Sequence, residues 1–166
     1  MSHRSDGILE PGQIAPLVPA GDRLHSGPFA IIECVENIPC NPCVGACPKG
    51  AIVIEGDMNG TPSVDFGTCD GCGLCISACP GLAIFVVDLS SDGGSARVSI
   101  PYEYLPLPAV GGSVVTLSRE GEVLGTATVE RVLNAKALDR TPIVTLSLPS
   151  KDAMSVRHFR AKDATA

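Results

Sequence analysis

The residues in this chain with the most chemistry to offer are its eight cysteines, all between Cys34 and Cys79. They form two tight groups, "CVENIPCNPCVGACP" and "CDGCGLCISACP". Thiols this dense can pair as disulfides or, as thiolates, grip a metal. Disulfide scaffolds are usually short, secreted and richer in cysteine than this. The N-terminal "MSHRSDGILEPGQ" has no apolar signal core, and no run approaches the ~18 apolar residues of a membrane span. The expected setting is a reducing cytoplasm, and the thiols read as metal ligands.

The second group, Cys69, Cys72, Cys75 and Cys79, is the CxxCxxCxxxCP run of bacterial iron–sulfur proteins, whose fourth cysteine serves the other cluster when two are present. Three thiolates two residues apart converge from one tight loop, while the fourth starts away on a short helix. Gly71 and Gly73 let the backbone approach inorganic sulfide and donate N–H groups to it. The first group repeats the second: Cys40, Cys43 and Cys47 lie 32 residues before Cys72, Cys75 and Cys79. "ACPKGAIVIEG" then parallels "ACPGLAIFVVD". Cys34 and Cys69 are 35 apart, so the first copy is three residues longer inside "VENIP". Such a repeat implies two supersecondary units related by an approximate two-fold axis. Strict spacing would put the first ligand at Asn37. Cys34 is the expected ligand because it follows a strand directly, the alternatives being a three-iron cluster or an oxygen ligand at that corner. Two zinc sites would also use eight thiolates but seldom in this run. Clusters that serve only as structural staples are a further alternative.

With these motifs in view, residues 29–88 resemble a bacterial-type dicluster ferredoxin holding two 4Fe-4S clusters. That resemblance implies that Cys34, Cys40, Cys43 and the distant Cys79 hold one cluster, and that Cys69, Cys72, Cys75 and the distant Cys47 hold the other. The opening "GPFAIIECVENIPCNPCVGACPKGAI" is also similar to small iron–sulfur subunits that accompany flavin-dependent amine or proline-type dehydrogenases. This second resemblance implies a hetero-oligomer, with substrate oxidised at a flavin on a partner dehydrogenase or reductase chain and electrons passing through this one. A free soluble ferredoxin, and an assembly or redox-sensing module with structural clusters, are the alternatives.

The elements that must position these thiols are short. "FAIIE", "AIVIE", "TPSVDF" and "LAIFVVD" read as strands, and helices can only be brief before Pro48 and Pro80. Residues 1–28, with four prolines and no sustained period, read as an extended arm whose Ile8, Leu9, Ile14, Leu17, Val18 and Leu24 dock on this protein or a partner. Residues 29–89 form the dicluster unit and 90–112, "SSDGG" followed by a Pro-rich stretch, a linker. In 113–161, "SVVTLSREGEVLGTATVERV" alternates around a Glu-Gly turn as a hairpin, and "TPIVTLSLP" and "AMSVRHFR" add strands; 162–166 is a tail. The expected class is α+β: a ferredoxin-like, pseudo-two-fold dicluster domain followed by a small all-β barrel or sandwich.

Composition narrows function further. Hydrophobic residues make up 45% of the chain, but there is no Trp and aromatics reach only 4%, so the clusters are expected to support a modest core. A net charge of −6 disfavours nucleic acid. His3, His25 and His158 are scattered, and Asp65, Asp70 and Asp88 read as turn or edge residues. No nucleophile–base pair or dinucleotide fingerprint is present, so no catalytic site is expected on this chain. Pro39 and Pro42 align with Gly71 and Leu74, so the first loop lacks two N–H donors. Fewer bonds to sulfur disfavour the more negative reduced state, which gives the first cluster the lower potential. A charge at Asp70 beside the second cluster would work the other way.

Overall fold

The structure, a computed structural model, describes residues 3–161; the expected tail at 162–166 lies outside them. The N-terminal arm is not extended. It makes brief helical turns, α1 (His3–Asp6), α2 (Pro11–Ile14) and 3-10 turns at Ala15–Leu17 and Gly21–His25. Pro11 opens α2 and Pro16 lies in the next turn, where a fixed φ suits a helical start and a missing N–H costs nothing. Leu9 is buried, and Leu17, Val18 and Leu24 pack on the main core, so the arm wraps its own protein.

Two units come next: β1 (Phe29–Ile32), α3 (Pro42–Ala46), β2 (Ile52–Ile54), then β3 (Pro62–Val64), α4 (Leu74–Ala78), β4 (Ile84–Asp88). β1 pairs antiparallel with β4, Ile31 facing Phe85, and β2 with β3, Val53 facing Ser63. Outer strand with outer and inner with inner is what a two-fold axis between the units requires. The helices end alike: Cys47 at φ −82°, ψ 107° donates its N–H to Val44 O, and Cys79 at φ −83°, ψ 110° donates to Ile76 O.

Beyond β4 the expected barrel is absent. β5 (Ser95–Pro101), β6 (Ser113–Leu117), β7 (Val123–Leu133), β8 (Ile143–Pro149) and β9 (His158–Ala161) join β1 and β4 in one antiparallel sheet ordered β1-β4-β5-β8-β7-β6-β9. β5 lies within the stretch that the sequence reads as a linker. Its Ala96, Val98 and Ile100 point into the core, but "SARVSIP" is brief, half polar and framed by turn residues, which hides it. The sheet bonds its neighbour strands from both halves of the chain, so the C-terminal strands extend the ferredoxin-like sheet. It curls enough for Phe29 and Phe159, from the two edge strands, to share one core, yet among the described residues no ladder joins β1 to β9.

β1 and β4 are buried on both faces. Phe29, Ile31, Phe85 and Val87 face the core inside the curl. Ala30, Ile32, Ile84 and Val86 face a second core with Ile52, Ile76, Cys43 and Cys75. The period-2 alternation of a strand thus supplies two apolar layers. Leu138 and Ile143, from the β7–β8 connection and β8, complete the second core. Among the described residues no helix is long and apolar enough to cross a membrane.

Candidate metal centre

The strand–loop–helix units bring the eight thiols to the outer face of β1 and β4. Cys34 leaves β1 just after Glu33, whose N–H donates to Ala83 O at 2.8 Å. Cys43 and Cys75 lie within α3 and α4 and are buried, whereas Cys72 is exposed. Cys47 and Cys79 close those helices. Ala51 N donates to Cys47 Sγ at 3.3 Å and Ala83 N to Cys79 Sγ at 3.4 Å, the same four-residue step in both units. Gly71 sits at φ +67°, and an added Cβ would meet Pro28 Cβ at 2.5 Å, so only glycine lets this loop close on β1. Gly73, at φ +82°, caps α4.

One cavity gathers thiols from both units. Cys47, Cys69, Cys72 and Cys75 line one cavity, with Ala30 and Ile52 on its wall. Burial first, then the neighbouring sulfurs of Cys69, Cys72 and Cys47, pushes the Cys75 thiol up to about 12. Burial likewise raises Cys43, and Cys79 and Cys40 add to it. Cys34 is raised by burial and by Cys79 and Cys40, against a hydrogen bond from the Glu36 amide. Burial also raises the Cys72 thiol, against a hydrogen bond from the Leu74 amide. Pro42, at the position equivalent to Leu74, has no N–H to give Cys40. A buried thiol such as Cys75 gives up its proton most readily to a cationic centre, and four soft sulfur donors around one hollow suit an iron–sulfur cluster. Among the described residues no three His, Cys, Asp or Glu side chains converge on a single ion; a four-iron cube spreads its thiolates farther apart than one ion does.

The other singled-out residues have local partners. His3 Nε2 lies 3.0 Å from Glu36 Oε1, and His25 Nδ1 lies 3.3 Å from Leu89 O. His158 stacks near Tyr102 and Phe159. Asp65 accepts bonds from Gly67 N and Thr68 Oγ1. Asp88 accepts from Ser90, and Arg97 lies 3.6 Å from it. Asp70 accepts from Cys72 N at 3.1 Å and lies 3.6 Å from Lys49 Nζ, which fixes the second loop and balances the charge beside it.

Two structural supports have no signature in the sequence. Arg23, in the arm, donates to Phe66 O at 2.8 Å and to Cys69 O and Pro28 O at 2.9 Å, clamping the start of the second cysteine loop. Glu33 receives bonds from Arg119 to both carboxylate oxygens and from Arg157 Nε at 2.7 Å. Burial alone would raise the Glu33 pKa, but those two guanidiniums hold it below the usual carboxylate range. Burial pushes Arg157 down to about 10 against the pull of Glu33, and its guanidinium lies 4.9 Å from the Phe85 ring centroid. The triad ties both edges of the curled sheet to the residue preceding Cys34. Only contacts 86 and 124 residues apart reveal it.

Comparison with known proteins adds independent findings. Residues 34–83 match the family described as the 4Fe-4S dicluster domain. The ferredoxin-type protein NapF of Haemophilus influenzae is 38% identical over 60 residues, covering 35% of this chain and 34% of that protein. The pyruvate synthase subunit PorD of Methanocaldococcus jannaschii is 37% identical over 54 residues, 32% of this chain and 60% of that protein. The polyferredoxin protein MvhB of Methanothermus fervidus is 33% identical over 75 residues, 43% of this chain and 16% of that protein. The chain thus spans less than two thirds of the length of each of these relatives. No solved structure matches it. Residues 34–83 are a dicluster ferredoxin domain, and its cofactors are 4Fe-4S clusters. The match ends at residue 83, before β4.

Proposed function

We propose that this chain is a one-electron carrier with two 4Fe-4S clusters, working as the iron–sulfur subunit of a cytoplasmic, flavin-dependent oxidoreductase. Cys34, Cys40, Cys43 and Cys79 hold one cluster, and Cys47, Cys69, Cys72 and Cys75 the other. What supports this reading is that Cys47 lines the cavity of Cys69, Cys72 and Cys75 from the opposite unit, while Cys34, Cys43 and Cys79 pack about the same apolar core. Reversible one-electron reduction is the chemistry the clusters supply when bound. The chain's own residues exclude water with Ile32, Ile52, Ile76 and Leu138, orient the loops through Arg23 and Asp70, and donate amides from Ala51 and Ala83 to sulfur.

Subunit status is supported by three features. The segment "GPFAIIECVENIPCNPCVGACPKGAI" resembles small subunits of flavin-dependent dehydrogenases, the sheet continues far beyond the family match, and one relative is itself described as a subunit. The partner is accordingly a flavoprotein dehydrogenase or reductase subunit.

Anaerobic isolation from its own cells tests both levels. The chain should carry about eight irons, bleach and recover on reduction and reoxidation, and co-purify with a flavin-containing chain in native mass spectra. Cys79→Ser and Cys47→Ser should each alter a different cluster signal in paramagnetic resonance. Iron far below that content, or redox-inert clusters, refutes electron transfer. Isolation as an active monomer refutes the subunit role and leaves a free ferredoxin.

A further inference from the structure

The first cysteine copy is three residues longer than the second, and neither the cluster ligation nor the sheet uses the extra length. Residues 36–39 are all exposed, as are 55–59 in the turn between β2 and β3. The two segments are fastened together. Asn37 Nδ2 donates to Asn59 O at 3.1 Å and Cys40 N to Met58 O at 3.3 Å. The turn itself closes with Gly60 N donating to Asp57 O at 3.0 Å. Ile38, 46% exposed, and Met58, 51% exposed, therefore flank the corner at Cys40. Glu36, Glu55 and Asp57 surround them, and neither 36–40 nor 55–60 contains a Lys or Arg. Among the described residues, His3 reaches this face through its bond to Glu36.

The corner at Cys72 is different. Its Asp70 is paired with Lys49. Other sides of the cluster-bearing lobe are covered, by Arg23 and the arm along Phe66 and Cys69 and by Leu138 against the second core. Single exposed apolar residues are ordinary. An apolar pair from two segments, fastened by the Cys40 amide and the Asn37 side chain beside a cysteine corner and rimmed by exposed carboxylates, has the anatomy of an interface core with a charged rim.

We infer that the lengthened loop and the 55–60 turn form the docking face for a redox protein whose own surface has an apolar centre ringed by Lys and Arg. The carboxylates steer and orient that partner, and Ile38 and Met58 supply the desolvated contact. This inference rests on the electron-transfer reading above, so its test uses a readout that does not depend on redox activity.

Zinc-substituted cytochrome c, a redox-inert cationic haem protein, serves as probe, and its affinity for the holoprotein is measured by calorimetry. Work at about 10 mM ionic strength keeps the charges weakly screened. Iron content and reversible reduction are recorded first on every sample, so a failed carrier is recognised separately. Glu36→Lys with Glu55→Lys should weaken binding about tenfold or more, and the loss should shrink at about 150 mM salt. Ile38→Ser with Met58→Ser should weaken it roughly fivefold at both salts. Asp92→Lys, in the β4–β5 turn, and Val123→Ser, exposed at the start of β7, should stay within about twofold. Parental affinity in both loop variants, or equal losses in Asp92→Lys or Val123→Ser, overturns the assignment.

Discussion

Replacing Glu33 by Gln keeps the shape of the side chain at the end of β1 and removes its charge. The glutamate is only 8% exposed, and its partners Arg157 and Arg119 are 4% and 14% exposed. The variant leaves one buried and one part-buried guanidinium facing an amide. Breaking a buried ion pair from one side costs about 3–5 kcal/mol, because the remaining charge stays desolvated and uncompensated. For a chain of this length each kcal/mol moves the melting temperature by about 2–4 °C, so a drop of roughly 6–20 °C is expected. The assay is an anaerobic melt of the holoprotein at matched scan rate, followed by far-ultraviolet dichroism and visible cluster absorption together. Glu33 has a depressed pKa in the folded state. Its stabilisation is therefore complete above the unfolded carboxylate value and fades as pH falls through the folded one, and the gap between parent and Gln variant should close on acidification. Substituting Glu33, Arg119 and Arg157 together by Met should recover most of the loss, since an apolar replacement leaves nothing uncompensated. A melting shift under about 2 °C for Glu33→Gln would show that the triad does not hold the sheet edges together.

Three further outcomes are expected. Pro42→Leu restores the amide that Leu74 gives Cys72 and should raise the potential of the cluster assigned to Cys34, Cys40 and Cys43 by roughly 20–65 mV, one net hydrogen bond of ~0.5–1.5 kcal/mol in a one-electron couple; unchanged potentials in a mediated titration would remove the amide argument. Gly71→Ala drives a Cβ into Pro28 at a positive φ, so iron per chain should fall by about half as the second cluster is lost, and full occupancy would contradict the close approach. Arg23→Met frees the carbonyls of Phe66 and Cys69 at a cost of ~1–3 kcal/mol; chelator-driven bleaching should then remove one cluster before the other, and uniform bleaching would count against the clamp.

The sequence makes local features legible and leaves distant ones hidden. The 32-residue repeat, the Glu-Gly turn of the hairpin, and the strands "FAIIE" and "LAIFVVD" announce themselves because turn chemistry and short-range periodicity create them. β5 stays hidden because Arg97 and Ser99 break its apolar run, and only pairing with β4 and β8 makes it a strand. Prolines in the arm suggest an extended path, yet at helix starts they favour the turns observed. The barrel expectation fails because a hairpin plus two strands says nothing about what its free edge will meet, and here β8 meets β5. Arg23, Arg119 and Arg157 are ordinary surface cations until tertiary structure places carbonyls or Glu33 beside them.

The two-sided burial of β1 and β4 makes the iron-bearing half inseparable from the C-terminal strands. A fragment ending near residue 89 would bare Phe29, Ile31, Phe85 and Val87 to water, the lining against which the rest of the sheet closes. Shortening this protein to its cysteine motifs would therefore give an insoluble or scrambled remnant. The later strands supply the wall behind β1 and β4, and a single layer of backbone separates that wall from the core that carries the cysteines.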